Sequence, residues 1–215
     1  MMSNISLKTR YFMAEFYGTF LMIFLGVGVF SIIGNYLSIA LIVGAAYLLS
    51  AYTLDHISHA HFNPIITLAA WIDQRLTLKT ALLYWGAQLG GAIFGYLSLP
   101  LFNVQVLFSR SLSFSARDYG LFAFVAYILV YVYLAVSEND KKRPFLGLAV
   151  GSTYMALTLL TISSTFGILN PLRALEMTSI VPVVLMTLSL ASGTLLATLF
   201  YKGLAYQATK YQKHA

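Results

Sequence analysis

Two Asn-Pro pairs sit inside apolar stretches, at His61-Phe62-Asn63-Pro64-Ile65 and Ile168-Leu169-Asn170-Pro171-Leu172-Arg173, and they constrain the fold more than any other feature. Asn is a favoured helix N-cap and Pro suits the first helical position, so each pair marks the start of a short helix. At membrane depth such a start leaves irregular backbone behind it, which is tolerated only where it is buried in protein or lines a wet path. The positive end of each short helix then points at whatever passes. If both Asn were caps and nothing more, two costly breaks would have no purpose.

The membrane setting follows from composition. Of 215 residues, 59% are hydrophobic and 9% charged, with a mean hydropathy of +0.79, too much apolar surface for a soluble core to hide. The net charge of +6 comes without a basic stripe or nucleic-acid motif, so it reads as an orientation signal. The chain has no Cys, which excludes disulfides, thiol catalysis and thiolate metal sites. Ala14-Glu15-Phe16 makes no convincing cleavage site, and the first apolar run continues to about Ile33, long enough to span. With no catalytic triad, nucleotide loop or paired carboxylates, the sequence points away from an enzyme or an active transporter, and it calls for no cofactor and no nucleic acid.

Six runs reach the roughly 20 residues a span needs, at about 11–33, 36–55, 79–102, 118–137, 144–164 and 180–201. Two half-length segments, near 63–73 and 170–178, each begin at an Asn-Pro pair. The expected fold is an all-α membrane protein, a single domain over 1–215, with six transmembrane helices and two re-entrant half-helices. Its halves, about 11–102 and 118–204, hold three spans each, so they take opposite orientations and form an inverted repeat. Lys8, Arg10, Arg75, Lys79, Lys141, Lys142, Arg143, Lys202, Lys210 and Lys213 fall on one side of this path, which places both termini in the cytoplasm. Arg110 and Arg117 fall outside, and Arg173 lies within an apolar stretch. Gly86-xxx-Gly90, Gly91-xxx-Gly95 and Gly147-xxx-Gly151 are small-residue patterns that let helices approach closely.

Over nearly its whole length the chain resembles the aquaporin and aquaglyceroporin (major intrinsic protein) family. The resemblance is carried by Ala14-Glu15-Phe16-Tyr17-Gly18-Thr19-Phe20, His56-Ile57-Ser58 with His61-Phe62-Asn63-Pro64, Ala87-Gln88-Leu89-Gly90-Gly91, and Asn170-Pro171-Leu172-Arg173. It implies that the Asn63 and Asn170 amides, held by Pro64 and Pro171, converge at mid-pore and donate to the oxygen of a passing water or alcohol. Carbonyls of Ser58 to Phe62 and Thr165 to Leu169 would supply the acceptors. Glu15, with Gln88, would brace a re-entrant loop. No acid occupies the corresponding fourth span, where Leu121 to Leu134 offers only Tyr127, Tyr131 and Tyr133.

By the same pattern the narrowest constriction consists of Val43, Thr158, Gly167 and Arg173. A guanidinium in an apolar segment is costly unless it faces water, and it both donates and repels cations. Val, Thr and Gly replace the bulky aromatic and His of water-selective members, leaving a wider opening that suits a polyol or a urea-sized solute. Against this, Ala174 follows the Arg where glycerol channels carry Asp, and only Phe166 or Tyr47 could fold in. The expected function is passive passage of water and small uncharged solutes, glycerol-like polyols favoured, with ions and protons excluded. The alternatives are a strictly water-selective channel and a non-conducting structural protein of the same fold. His59 and Ala60 stand where the family commonly has glycines; with His61, His59 would narrow the cytoplasmic vestibule, either as a gate titrating near neutral pH or simply bonded into the loop. The three histidines and Asp55 lie on a non-helical loop without metal-site spacing. The family usually forms homotetramers in a plasma or inner membrane.

Overall fold

The computed structural model describes residues 6–32, 34–105 and 114–212. Arg110 and Lys213, two of the charges used for orientation, lie outside the described residues. The helices, in order, are α1 (Leu7–Ile32), α2 (Tyr36–Ser58), α3 (Pro64–Ile72), α4 (Leu78–Ser98), α5 (Ala116–Ser137), α6 (Leu146–Thr165) and α7 (Ile180–Gln212). Asn35, Thr77 and Ser115 cap α2, α4 and α5 through their side chains.

Among the described residues, α1, α2, α5, α6 and α7 are long and apolar enough to cross a membrane. The 21-residue α4 has the length but a more mixed composition, with Lys79, Gln88 and close-packing glycines. It ends at Ser98, and a 3-10 turn carries the chain from Leu99 to Phe102, short of the unbroken span expected over 79–102. Pro100 lies in that turn and has no N–H for a further helical bond.

The second half-helix departs from expectation. Where an α-helical counterpart of α3 was expected at 170–178, Pro171–Glu176 forms a 3-10 turn. Three residues per turn stack position i over i+3. Arg173 and Glu176 stand in that relation, with Nε donating to Oε1 at 2.7 Å and Nη2 to Oε2 at 3.1 Å. The tighter winding brings the two charges into register.

In packing, α1 lies against α4 and α2, α5 against α7 and α6, and α2 against α6. Exchanging α1 for α5, α2 for α6 and α4 for α7 leaves those pairings unchanged, as an inverted repeat requires. Equivalent glycines hold equivalent crossings. A Cβ on Gly91 would sit 2.2 Å from the Phe16 carbonyl oxygen, and one on Gly193 1.9 Å from that of Ala123. Where α2 meets α6, Gly44 and Gly151 face one another in the same way, at 2.6 and 2.9 Å from the opposing carbonyls. Gly86 does not share the packing role expected of it, since no atom lies within 4 Å of where its Cβ would be. Outward-facing Leu97, Leu101 and Ile180 are 70%, 81% and 71% exposed, the surface that lipid covers in a spanning bundle.

Candidate permeation site

The segment between α2 and α3 is bent by non-glycine residues. His59, Ala60 and Phe62 all have left-handed backbone, with φ of 65°, 51° and 51°, each costing about 1–3 kcal/mol. Glu15 on α1, fully buried, holds them. Its carboxylate accepts from Ser58 Oγ (2.6 Å), the N–H groups of His61 (3.1 Å) and Phe62 (2.8 Å), and Gln88 Nε2 (2.7 Å). Gln88 also donates to Thr67 at 2.8 Å, tying α4 to the first half-helix. A Cβ on Gly18 would meet the Phe62 ring at 2.2 Å, so the bend rests directly on α1.

The carbonyls of this bend were expected to face a permeant, and most are already bonded. Tyr84 donates to Ser58 O (2.9 Å), Tyr133 to His59 O (2.7 Å), Tyr47 to Ala60 O (2.8 Å) and Asn170 Nδ2 to Phe62 O (3.1 Å). The physical reason is the supply of phenols on α2, α4 and α5, each long enough to reach backbone that would otherwise be buried without a donor.

The second bend is held differently. Phe166 and Gly167 are left-handed, at φ 53° and 61°. The Gly167 N–H returns to Thr161 O (3.4 Å) and the Ile168 N–H to Thr165 O (3.2 Å), both at the end of α6. These two N–H groups are satisfied without a second carboxylate. Arg173 Nη1 donates to Phe166 O at 3.1 Å.

Asn63 and Asn170 are caps and bridges at once. Each Oδ1 accepts from the N–H two residues on, Ile65 at 3.1 Å and Leu172 at 3.0 Å. Each Nδ2 reaches the opposite bend, Asn63 to Leu169 O at 3.0 Å and Asn170 to Phe62 O at 3.1 Å. The carbonyl in each case belongs to the residue before the other Asn. Pro64 and Pro171 occupy the first helical positions behind them. The second Nδ2 proton of Asn63 goes to the Tyr154 hydroxyl, at 2.7 Å.

A cavity of about 20 Å³, room for a single water, is lined by Val43, Gly167 and Arg173 of the expected constriction together with Asn170 and Tyr154. Thr158 is not on that wall: its Cγ2 lies 2.8 Å from where a Gly167 Cβ would be, so it packs behind Gly167. Its Oγ1 is buried with no hydrogen-bond partner among the described residues. Arg173 is 6% exposed; its guanidinium lies 4.6 Å from the Phe30 ring centroid and is paired with Glu176, whose Oε1 also accepts from Tyr96 at 3.0 Å. Sequence reasoning missed Tyr154 and Glu176. Tyr154 stands one helical turn before Thr158, on the same face, and Glu176 is an acid in a largely apolar stretch; both were visible signals.

A larger cavity of about 630 Å³ opens among Tyr11, His59, His61, Arg75, Tyr133 and Arg143. His59 Nδ1 meets Arg143, whose Nε and Nη2 also bind Asp55 at 3.2 and 3.3 Å. Partial burial and the Arg143 charge hold the His59 pKa below its ordinary value, with Asp55 opposing them. His61 is buried, its Nδ1 3.1 Å from Thr67 Oγ1, with its ring edge-on to Tyr84 and Tyr133. The two cavities share no lining residue. Tyr47 belongs to neither; it bonds the first bend at Ala60 and stacks on Tyr154 at 5.2 Å.

The family profile described as Major intrinsic protein matches residues 1–201. The chain is 35% identical over 176 residues to a "Glycerol uptake facilitator protein-like 6" of Lactiplantibacillus plantarum, covering 77% of this chain and 82% of that protein. It is 26% identical over 184 residues to an "Aquaporin Z" of Photorhabdus laumondii, covering 75% and 80%. To "Nodulin-26" of Glycine max it is 30% identical over 174 residues, covering 75% of this chain and 64% of that longer protein. Among solved structures, the aquaglyceroporin from Plasmodium falciparum superposes with a TM-score of 0.72 at 23% identity, over 90% of this chain and 95% of that one, a likeness of fold.

Proposed function

The chain belongs to the major intrinsic protein family, and from that premise we propose that it is a passive membrane channel, not an enzyme, that conducts water and small uncharged solutes, glycerol-like polyols among them. The observation that carries this is the reciprocal pair of bridges: Asn63 bonds Leu169 O, Asn170 bonds Phe62 O, and both helix starts are brought to one place beside a cavity lined by Asn170 and Arg173. The positive end of α3 raises the energy of a cation there, and Arg173, paired with Glu176, lines the same cavity, which supports exclusion of ions and protons. The relative named a glycerol uptake facilitator supports a polyol as well as water. The basic residues Arg75 and Arg143 beside the larger cavity support a cytoplasmic placing of that mouth and of both termini. Homotetrameric assembly follows the family pattern.

A strictly water-selective channel is the second reading, favoured by the single-water size of the inner cavity. Stopped-flow osmotic response of proteoliposomes separates them. Water, glycerol and urea are compared side by side against empty vesicles. Water and glycerol flux above background supports the first reading, and water alone the second. Background flux for all three would leave a structural protein of the same fold.

A further inference from the structure

We propose that Tyr154 is the group a permeating molecule meets at the centre of this pore in place of Asn63, its ring setting the width and its hydroxyl supplying the hydrogen-bond donor. The inference rests on the channel reading above. Its warrant is a count of protons. An Asn amide has two N–H donors, and those of Asn63 are both spent, one on Leu169 O at 3.0 Å and the other on the Tyr154 oxygen at 2.7 Å. Asn63 therefore has none left for a permeant.

Tyr154 does. Its oxygen accepts from Asn63, and its own O–H proton has no acceptor among the described residues. The residue lines the small cavity with Asn170 and Arg173. An amide N–H directed into a phenol oxygen polarises the O–H, making it a stronger donor than an isolated phenol. The hydroxyl thus passes the donor character of Asn63 a few ångströms into the lumen.

The ring has a second effect. Tyr154 is 1% exposed and stacks on Tyr47, which is itself anchored to Ala60 O, so it cannot swing aside without breaking a stacked pair. With about 20 Å³ open beside it, a water fits directly, whereas a three-carbon polyol must displace the ring to pass and so crosses more slowly than water. The permeant this arrangement favours is compact, neutral and carries an oxygen acceptor. Tyr154, more than the small side chains of Val43 and Gly167, sets the ratio of water to polyol passage.

The test is stopped-flow permeability of the purified full chain in proteoliposomes, comparing the parent with Tyr154→Leu and Tyr154→Phe. Leu removes the ring and returns a proton to Asn63, so glycerol flux relative to water should rise by about tenfold. Phe frees the same Asn63 proton but keeps the ring over it and removes the lumen donor, so glycerol stays as restricted as in the parent while water flux falls by about threefold. The near-isosteric Phe variant keeps the test decisive if Leu fails to fold. Either variant, folded and behaving as the parent does, overturns the proposal. A folded parent and folded variants all at lipid background would sink the channel reading instead, whereas a conducting parent with indifferent variants sinks Tyr154 alone.

Discussion

Beside the small cavity stands a buried pair of charges. Glu176 takes two of the guanidinium donors of Arg173, and Phe166 O takes a third. Breaking a buried pair by removing one partner leaves the other charge uncompensated. Replacing Arg173 with Val should therefore raise proton or cation leak, read with a pH dye or a potential dye inside vesicles that still conduct water. Adding Glu176→Gln to that variant should bring the leak back down, because the stranded carboxylate is then gone. A conducting Arg173→Val channel with parental leak would remove the pair from the barrier. His59 makes a prediction of the opposite kind. Its pKa is held below the ordinary value of about 6.5 by burial and by Arg143, so at pH 7–8 it is neutral and water flux should be flat. Any change must come on the acid side, as falling pH protonates the ring against Arg143. His59→Gly should abolish that acid-side change; flux that varies between pH 7 and 8 would assign the titration to another group.

Among the elements, the helix crossings carry the clearest prediction. Ala at Gly91 puts a methyl 2.2 Å from the Phe16 carbonyl, whereas Ala at Gly86 meets nothing within 4 Å. Gly91→Ala should lower the thermal midpoint in detergent, at a cost of about 1–3 kcal/mol, while Gly86→Ala should hold or raise it through helix propensity. Equal midpoints for the two would refute the close approach of α1 and α4. The sequence showed where these elements are, since runs of apolar residues and Asn-Pro caps are local signals. It did not show the 3-10 winding at Pro171–Glu176 that sets Arg173 beside Glu176. Nor did it show that tyrosines would take the bend carbonyls: Tyr47 read as a ring that could fold into the constriction and Tyr133 as a polar handle of the fourth span, and only the fold brings the hydroxyls of Tyr47, Tyr84 and Tyr133 to Ala60, Ser58 and His59. Counting along the family pattern put Val43, Gly167 and Arg173 on the cavity wall and left Thr158 one layer too far in, a distance that spacing does not encode.

For the whole molecule, the same helix pairings recur before and after the connection between α4 and α5. The α1–α4 and α5–α7 pairs are internal to their halves, and the α2–α6 contact joins them. Co-expressed chains ending at Val104 and beginning at Phe114 should therefore associate and conduct, while neither alone should do so; failure of the two to co-purify would show that the covalent connection is needed for assembly. The bridges at the centre have a further consequence, in time and not in space. Asn63 and its acceptor Leu169 are 106 residues apart, so a ribosome making about 5–20 residues per second delivers the amide to the membrane roughly 5–20 s before its partner exists. During that interval the first bend is held by Glu15 while its bridging amide waits. Until synthesis is complete, the bend has only the contacts made within its own half, those of Glu15 with Ser58, Phe62 and Gln88 among them.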